Sequence, residues 1–133
     1  MPTDSATEKD YQEWIRKAND DFISLQSLAR HRDATPSTGC FLAQQIVEKV
    51  LKALIAFHNL EIEKTHDLIK LSNTLEPAEP EITKFIEELA TLNRYYVETR
   101  YPGEFPEFSW HECQQALEFT EKIRSFVLDK VKQ

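Results

Sequence analysis

Residues 36–59, PSTGCFLAQQIVEKVLKALIAFHN, decide the fold. Pro36 suits the first turn of a helix, and Thr35 before it supplies a cap. From there to about Asn59 only Gly39 interrupts helical periodicity. Phe41, Leu42, Ala43, Ile46, Val47, Val50, Leu51, Ala53, Leu54 and Ile55 cover more than half the circumference. Gln45, Glu48, Lys49 and Lys52 make one narrow polar strip. A helix apolar over that much of its girth must be covered on several sides, so it belongs at the centre of a bundle.

The rest of the chain is punctuated to match. Prolines at 2, 36, 77, 80, 102 and 106 separate long stretches without a helix breaker, and no strand-like alternation competes. A first helix is predicted from about Thr7 to about Arg30, with Tyr11, Trp14, Ile15, Ala18, Phe22, Leu25, Leu28 and Ala29 as its apolar stripe. A short helix begins at Thr65, whose hydroxyl can cap it, and ends near Leu75. A fourth runs from about Pro80 to about Thr99, with Ile82, Phe85, Ile86, Leu89, Leu92, Tyr96 and Val97 facing inward. The fifth opens on the capping box Ser109-Trp110-His111-Glu112 and carries Trp110, Cys113, Ala116, Leu117, Thr120, Ile123, Val127 and Val131 on its stripe. Phe119 and Phe126 lie off that stripe, in register, and suit either a homodimer seam or an extension of the core. The predicted fold is all-α: an antiparallel, up-and-down helical bundle of four long helices and one short helix. It forms one domain over 1–133, with its core at about 8–131.

Composition excludes several functions. Glycine is 2 of 133 residues, so neither GxGxxG nor a Walker A loop fits. The net charge of −7, from 16 basic and 23 acidic side chains, disfavours DNA as a partner. Residues 76–107 hold eight Glu against three basic residues, whereas 35–59 carry Lys49 and Lys52 against Glu48 alone. No apolar run could span a membrane. The start, MPTDSATEKD, has no h-region, so no signal peptide is expected and the cytoplasm is the default compartment. Cys40 and Cys113 form no CxxC and are expected to be buried thiols. The four histidines lack i, i+3 or i, i+4 spacing, and HExxH and GxSxG are absent, so no metal, cofactor or hydrolytic triad is expected.

The informative residues are polar ones in apolar positions. On the fourth predicted helix Asn93 falls between Leu89 and Tyr96, and Arg100 follows on the same line. An arginine aimed at a core needs an anion. Asp21, at the edge of the first helix's stripe, is a natural partner, giving an Asp21–Arg100 structural pair. Alternatively Arg100 meets a phosphate or carboxylate at a bundle-end pocket. The strip Gln45, Glu48, Lys49, Lys52 reads either as a solvated face with a Glu48–Lys52 i, i+4 pair or as a set of donors to a ligand. His66 reads as a surface or capping histidine, or as a ligand donor.

Four elements in order carry a resemblance: Trp14-x3-Ala18-x2-Asp21-Phe22; Phe41-x2-Gln44-Gln45-x2-Glu48-Lys49-x2-Lys52-Ala53; Thr65-His66-Asp67-Leu68-x2-Leu71; and Arg100-Tyr101-Pro102. Together, from about Tyr11 to about Val131, they resemble the HEPN domain family (higher eukaryotes and prokaryotes nucleotide-binding). The resemblance implies an up-and-down bundle, usually dimeric and cytoplasmic. It also implies a gene neighbour encoding a small nucleotidyltransferase, sometimes as a toxin–antitoxin pair. A similar bundle helps build the substrate site of aminoglycoside nucleotidyltransferases. Other members are metal-independent ribonucleases carrying an Arg, four to six residues, then His. That motif is absent here: neither Arg94 nor Arg100 is followed by histidine at such a spacing. The reading therefore leans away from an enzyme.

The resemblance implies a nucleotide- or phosphate-binding module acting with a separate nucleotidyltransferase. Arg100 would contact phosphate, Lys49, Lys52 and Arg94 would add positive potential, Tyr101 or Tyr95 would stack on a base, and His66 would donate to the ligand. The rival expectations are a scaffold or antitoxin-like protein without a ligand, and a ribonuclease with a displaced histidine, His66 or His111.

Overall fold

The computed structural model describes residues 10–96 and 107–132. Its long central helix, α2 (Pro36–Phe57), starts as its sequence dictates: the Thr35 hydroxyl accepts the Thr38 N–H at 3.2 Å, and Pro36 occupies the first turn. From Val50 to Ala56 every residue of α2 is buried. Two further long helices pack on it, α1 (Tyr11–His31) and α5 (Trp110–Lys130), with the short α3 (Leu68–Leu75) against another side. Ala18, Phe22 and Leu25 of α1, Leu68, Leu71 and Leu75 of α3, and Cys113, Ala116, Ile123 and Val127 of α5 meet the buried face of α2 in one core. All regular elements among the described residues are helical, as expected for this bundle.

Close approach of α5 to α2 depends on Gly39. A Cβ there would lie 2.4 Å from Cys113 Sγ and 3.1 Å from Leu28 Cδ2, so a side chain has no room. Cys40 and Cys113 are free and buried, as expected. The hydrogen bond between the two thiols, together with burial, pushes the Cys40 thiol well up.

Helix boundaries differ in instructive ways. Asp10 caps α1, accepting the Gln12 N–H at 2.9 Å, and the expected start at Thr7 lies outside the described residues. Asp67 caps α3, not Thr65: its Oδ1 accepts Ile69 N–H at 2.9 Å and Lys70 N–H at 3.4 Å. The Thr65 hydroxyl instead accepts the Asp67 N–H at 3.1 Å, closing a turn just ahead of the cap. Ser109 and Glu112 form the expected capping box on α5.

The fourth helix is the main correction. Pro80–Phe85 is a 3₁₀ segment, and only Ile86–Asn93 is α-helix, α4. The tighter winding sends Ile82 into the core, while Phe85 sets its ring 5.2 Å from Phe126. Glu79 holds the start of this segment, accepting from His58 Nε2 at 2.8 Å with Lys130 at 3.6 Å. At the other end Arg94 and Tyr95 turn through bonds to the carbonyls of Thr91 and Leu92. The helix therefore stops at Asn93, six residues before Thr99, and the described residues form three long helices and two short ones. Phe119 and Phe126 are half-buried and pack against the core.

Candidate functional site

The polar strip of α2 is not a solvated face. Glu48 and Lys52 are only 6 % and 8 % exposed, and Gln44 beside them is fully buried. Polar groups this deep require partners. Glu48 Oε2 accepts from Lys52 Nζ at 2.9 Å, the i, i+4 pair foreseen from the sequence. The Lys52 ammonium also lies 5.5 Å from the centre of the Trp14 ring. Glu48 Oε1 faces His66 Nδ1 at 2.9 Å, and Gln45 Nε2 approaches it at 3.5 Å. Gln44 donates through Nε2 to the His66 carbonyl at 2.9 Å and accepts from Gln45 at 2.7 Å. Two adjacent α2 glutamines and a glutamate thus hold the backbone and the ring of His66.

The imidazole is fixed from a second side. It stacks on Tyr96 with ring centroids 4.3 Å apart and planes 14° from parallel. Tyr96 in turn lies 6.1 Å from Phe41. With Nδ1 turned to a carboxylate, the ring keeps its proton there when neutral, and Nε2 becomes the outward atom. The His66 side chain remains 53 % exposed.

Asn93, the polar residue in an apolar arc, belongs to the same cluster. Its Oδ1 accepts the Leu68 N–H at 2.8 Å and its Nδ2 donates to Asp67 Oδ1 at 3.0 Å. It joins the end of α4 to the start of α3. His66, Asp67, Asn93 and Tyr96, with Lys64 and Thr65, line an open pocket of about 370 Å³. Asp67 Oδ1 is saturated by three donors, whereas Oδ2 has no partner among the described residues and is open to solvent.

The remaining predicted site residues lie apart from this pocket or outside the described residues. Arg100 and Tyr101 fall outside them, as does the Asp21–Arg100 pair. Asp21 is bonded to Lys49, so a carboxylate already neutralises that lysine, as Glu48 does Lys52. Arg94 is exposed, caps α4, and, after the Ser109 N–H bond, its charge helps hold the Glu112 carboxyl below its ordinary value. Tyr95 is 1 % exposed, its ring 4.7 Å from Phe108, and burial pushes its phenol up to about 12. It offers no face for stacking. The sequence reading missed Gln44, Asp67 and Tyr96 as site residues. The Thr65-His66-Asp67 run was visible, but nothing local links it to a glutamine and a glutamate 18 and more positions earlier. No cluster of three or more metal-ligating side chains occurs among the described residues. No helix there is long and apolar enough to cross a membrane.

Comparison with known proteins bears on the family and the fold. The sequence matches the HEPN domain over residues 11–131. In structure the chain is similar to an archaeal HEPN homologue known from a crystal structure. The TM-score is 0.71 at 20 % identity, over 91 % of this chain and 97 % of the other, a likeness of fold. Among curated proteins none matches the chain.

Proposed function

The chain belongs to the HEPN domain family, and from that premise we propose a binding module for a nucleotide or similar phosphate ligand. It acts in the cytoplasm as a homodimer, beside a separately encoded nucleotidyltransferase, in a pair of the toxin–antitoxin type. The observation that carries the ligand is the His66 ring, held by Glu48 at 2.9 Å while the residue lines an open pocket. A protonated Nε2 donates to a phosphate oxygen, and the exposed Lys64 at the rim adds charge. Arg100 and Tyr101 keep their proposed roles, phosphate contact and base stacking. Lys49 and Lys52 contribute less than their charge suggests, since Asp21 and Glu48 oppose them.

The test is a thermal-shift series with ATP, GTP, CTP, UTP and their monophosphates. A ligand at about 100 times its dissociation constant adds roughly 2.7 kcal/mol to stability. The expected result is a shift lost in His66→Ala and in Arg100→Ala. Insensitivity of the shift to both substitutions would remove the site assignment.

A scaffold without a ligand is the second reading. It is favoured by the two internal ion pairs, which engage all four charged residues Asp21, Glu48, Lys49 and Lys52, the Asp21–Lys49 pair tying α1 to α2. It expects no nucleotide shift, and co-purification of a partner through Phe119 or Phe126 on α5.

A further inference from the structure

The pocket at His66 contains more than a place for phosphate. It holds an acceptor that nothing else in the described protein uses. This is Asp67 Oδ2, open to solvent while Oδ1 takes Ile69 N–H, Lys70 N–H and Asn93 Nδ2. A carboxylate oxygen beside a phosphate ligand repels it unless the ligand also brings donors to that oxygen. The residues flanking this acceptor have the opposite character. Lys64 is a cation at the rim, and the Thr65 hydroxyl, accepting from Asp67 N–H, has its own proton free to donate.

Resting on the nucleotide reading above, we infer that Asp67 accepts a hydrogen bond from a ribose hydroxyl, so that the ligand is a ribonucleotide rather than a deoxyribonucleotide. In a nucleotide the phosphate and the hydroxyls sit on one sugar, whereas the amino groups of the base lie at the far end. Here the cation and the acceptor lie within four consecutive residues, Lys64 to Asp67. That spacing matches donors close to the phosphate. A carboxylate accepting from the 2′-hydroxyl is also a recurrent physical solution to ribose recognition. Asp67 is held rigidly for the task. Its position is fixed by the first N–H groups of α3 and by Asn93, so little ordering is left to the moment of binding.

The experiment compares each ribonucleotide with its 2′-deoxy and 2′,3′-dideoxy counterparts by calorimetric titration of the full chain. Loss of a hydroxyl bonded to a charged acceptor is expected to weaken binding about ten- to hundredfold. The change with base should be smaller than the change with sugar. Asp67→Asn keeps an oxygen for the cap, since asparagine caps as well as aspartate. It replaces the free acceptor by an amide donor, so it should erase the sugar preference while the fold, followed by circular dichroism, is kept. Equal affinity for ribo- and deoxyribonucleotides, both lost in His66→Ala, would overturn the sugar inference and leave the nucleotide site standing. Absence of binding by every nucleotide would overturn both.

Discussion

A few single atoms carry most of the functional argument, and each can be tested alone. Glu48 is buried with one oxygen on Lys52 and the other on His66. Breaking such a pair leaves an uncompensated charge, and Lys52→Met is expected to destabilise the fold by about 3–5 kcal/mol in urea unfolding. Thr120 presents the opposite case. Its hydroxyl is buried with no hydrogen-bond partner among the described residues. Thr120→Val removes that unsatisfied group at nearly constant shape, and stability should rise by about 1 kcal/mol. Loss of stability instead would mean that the hydroxyl has a partner. The lysine pair was readable from i, i+4 spacing. The histidine was not, because its partner lies in another element and only folding joins them.

At the scale of elements, one contact sets how two long helices approach and a second sets the geometry of the site. Gly39 lets α5 sit against α2, with Cys113 Sγ in the space of a missing side chain. Gly39→Ala should therefore destabilise by about 1–3 kcal/mol, through overpacking, despite the better helix propensity of alanine. Gain of stability would show that the helices can part at no cost. The other contact is the junction of α3 and α4, where Asp67 caps one helix and Asn93 links it to the other. Asp67→Ala should cost about 1 kcal/mol from the cap alone, whereas Asp67→Asn should be close to neutral. The α4 boundary was hidden from the sequence. The apolar stripe continues at helical spacing past Asn93 to Tyr96, yet Asn93 spends its side chain on α3, and the backbone turns at Arg94 and Tyr95.

For the whole molecule, ion pairs work at two depths. Asp21–Lys49 joins α1 to α2 with both side chains about a quarter exposed, at 26 % and 24 %. Glu48–Lys52 is far deeper. Asp21→Asn is therefore expected to cost less than Lys52→Met, and its effect should shrink between low and high salt, while that of Lys52→Met should not. An equal response to salt in the two variants would contradict this ordering by burial. The periodicity of residues 36–59, the proline punctuation and the capping box determined the helical bundle, because hydrophobic spacing and capping are local properties of the chain. The ordered motifs likewise determined the family. Tertiary packing alone decided which polar residues meet. Asp21 takes Lys49, Glu48 takes His66, and Tyr96 rather than Tyr95 reaches the pocket, because a partner across the bundle is set by how helices are turned and stacked, which spacing along the sequence does not encode.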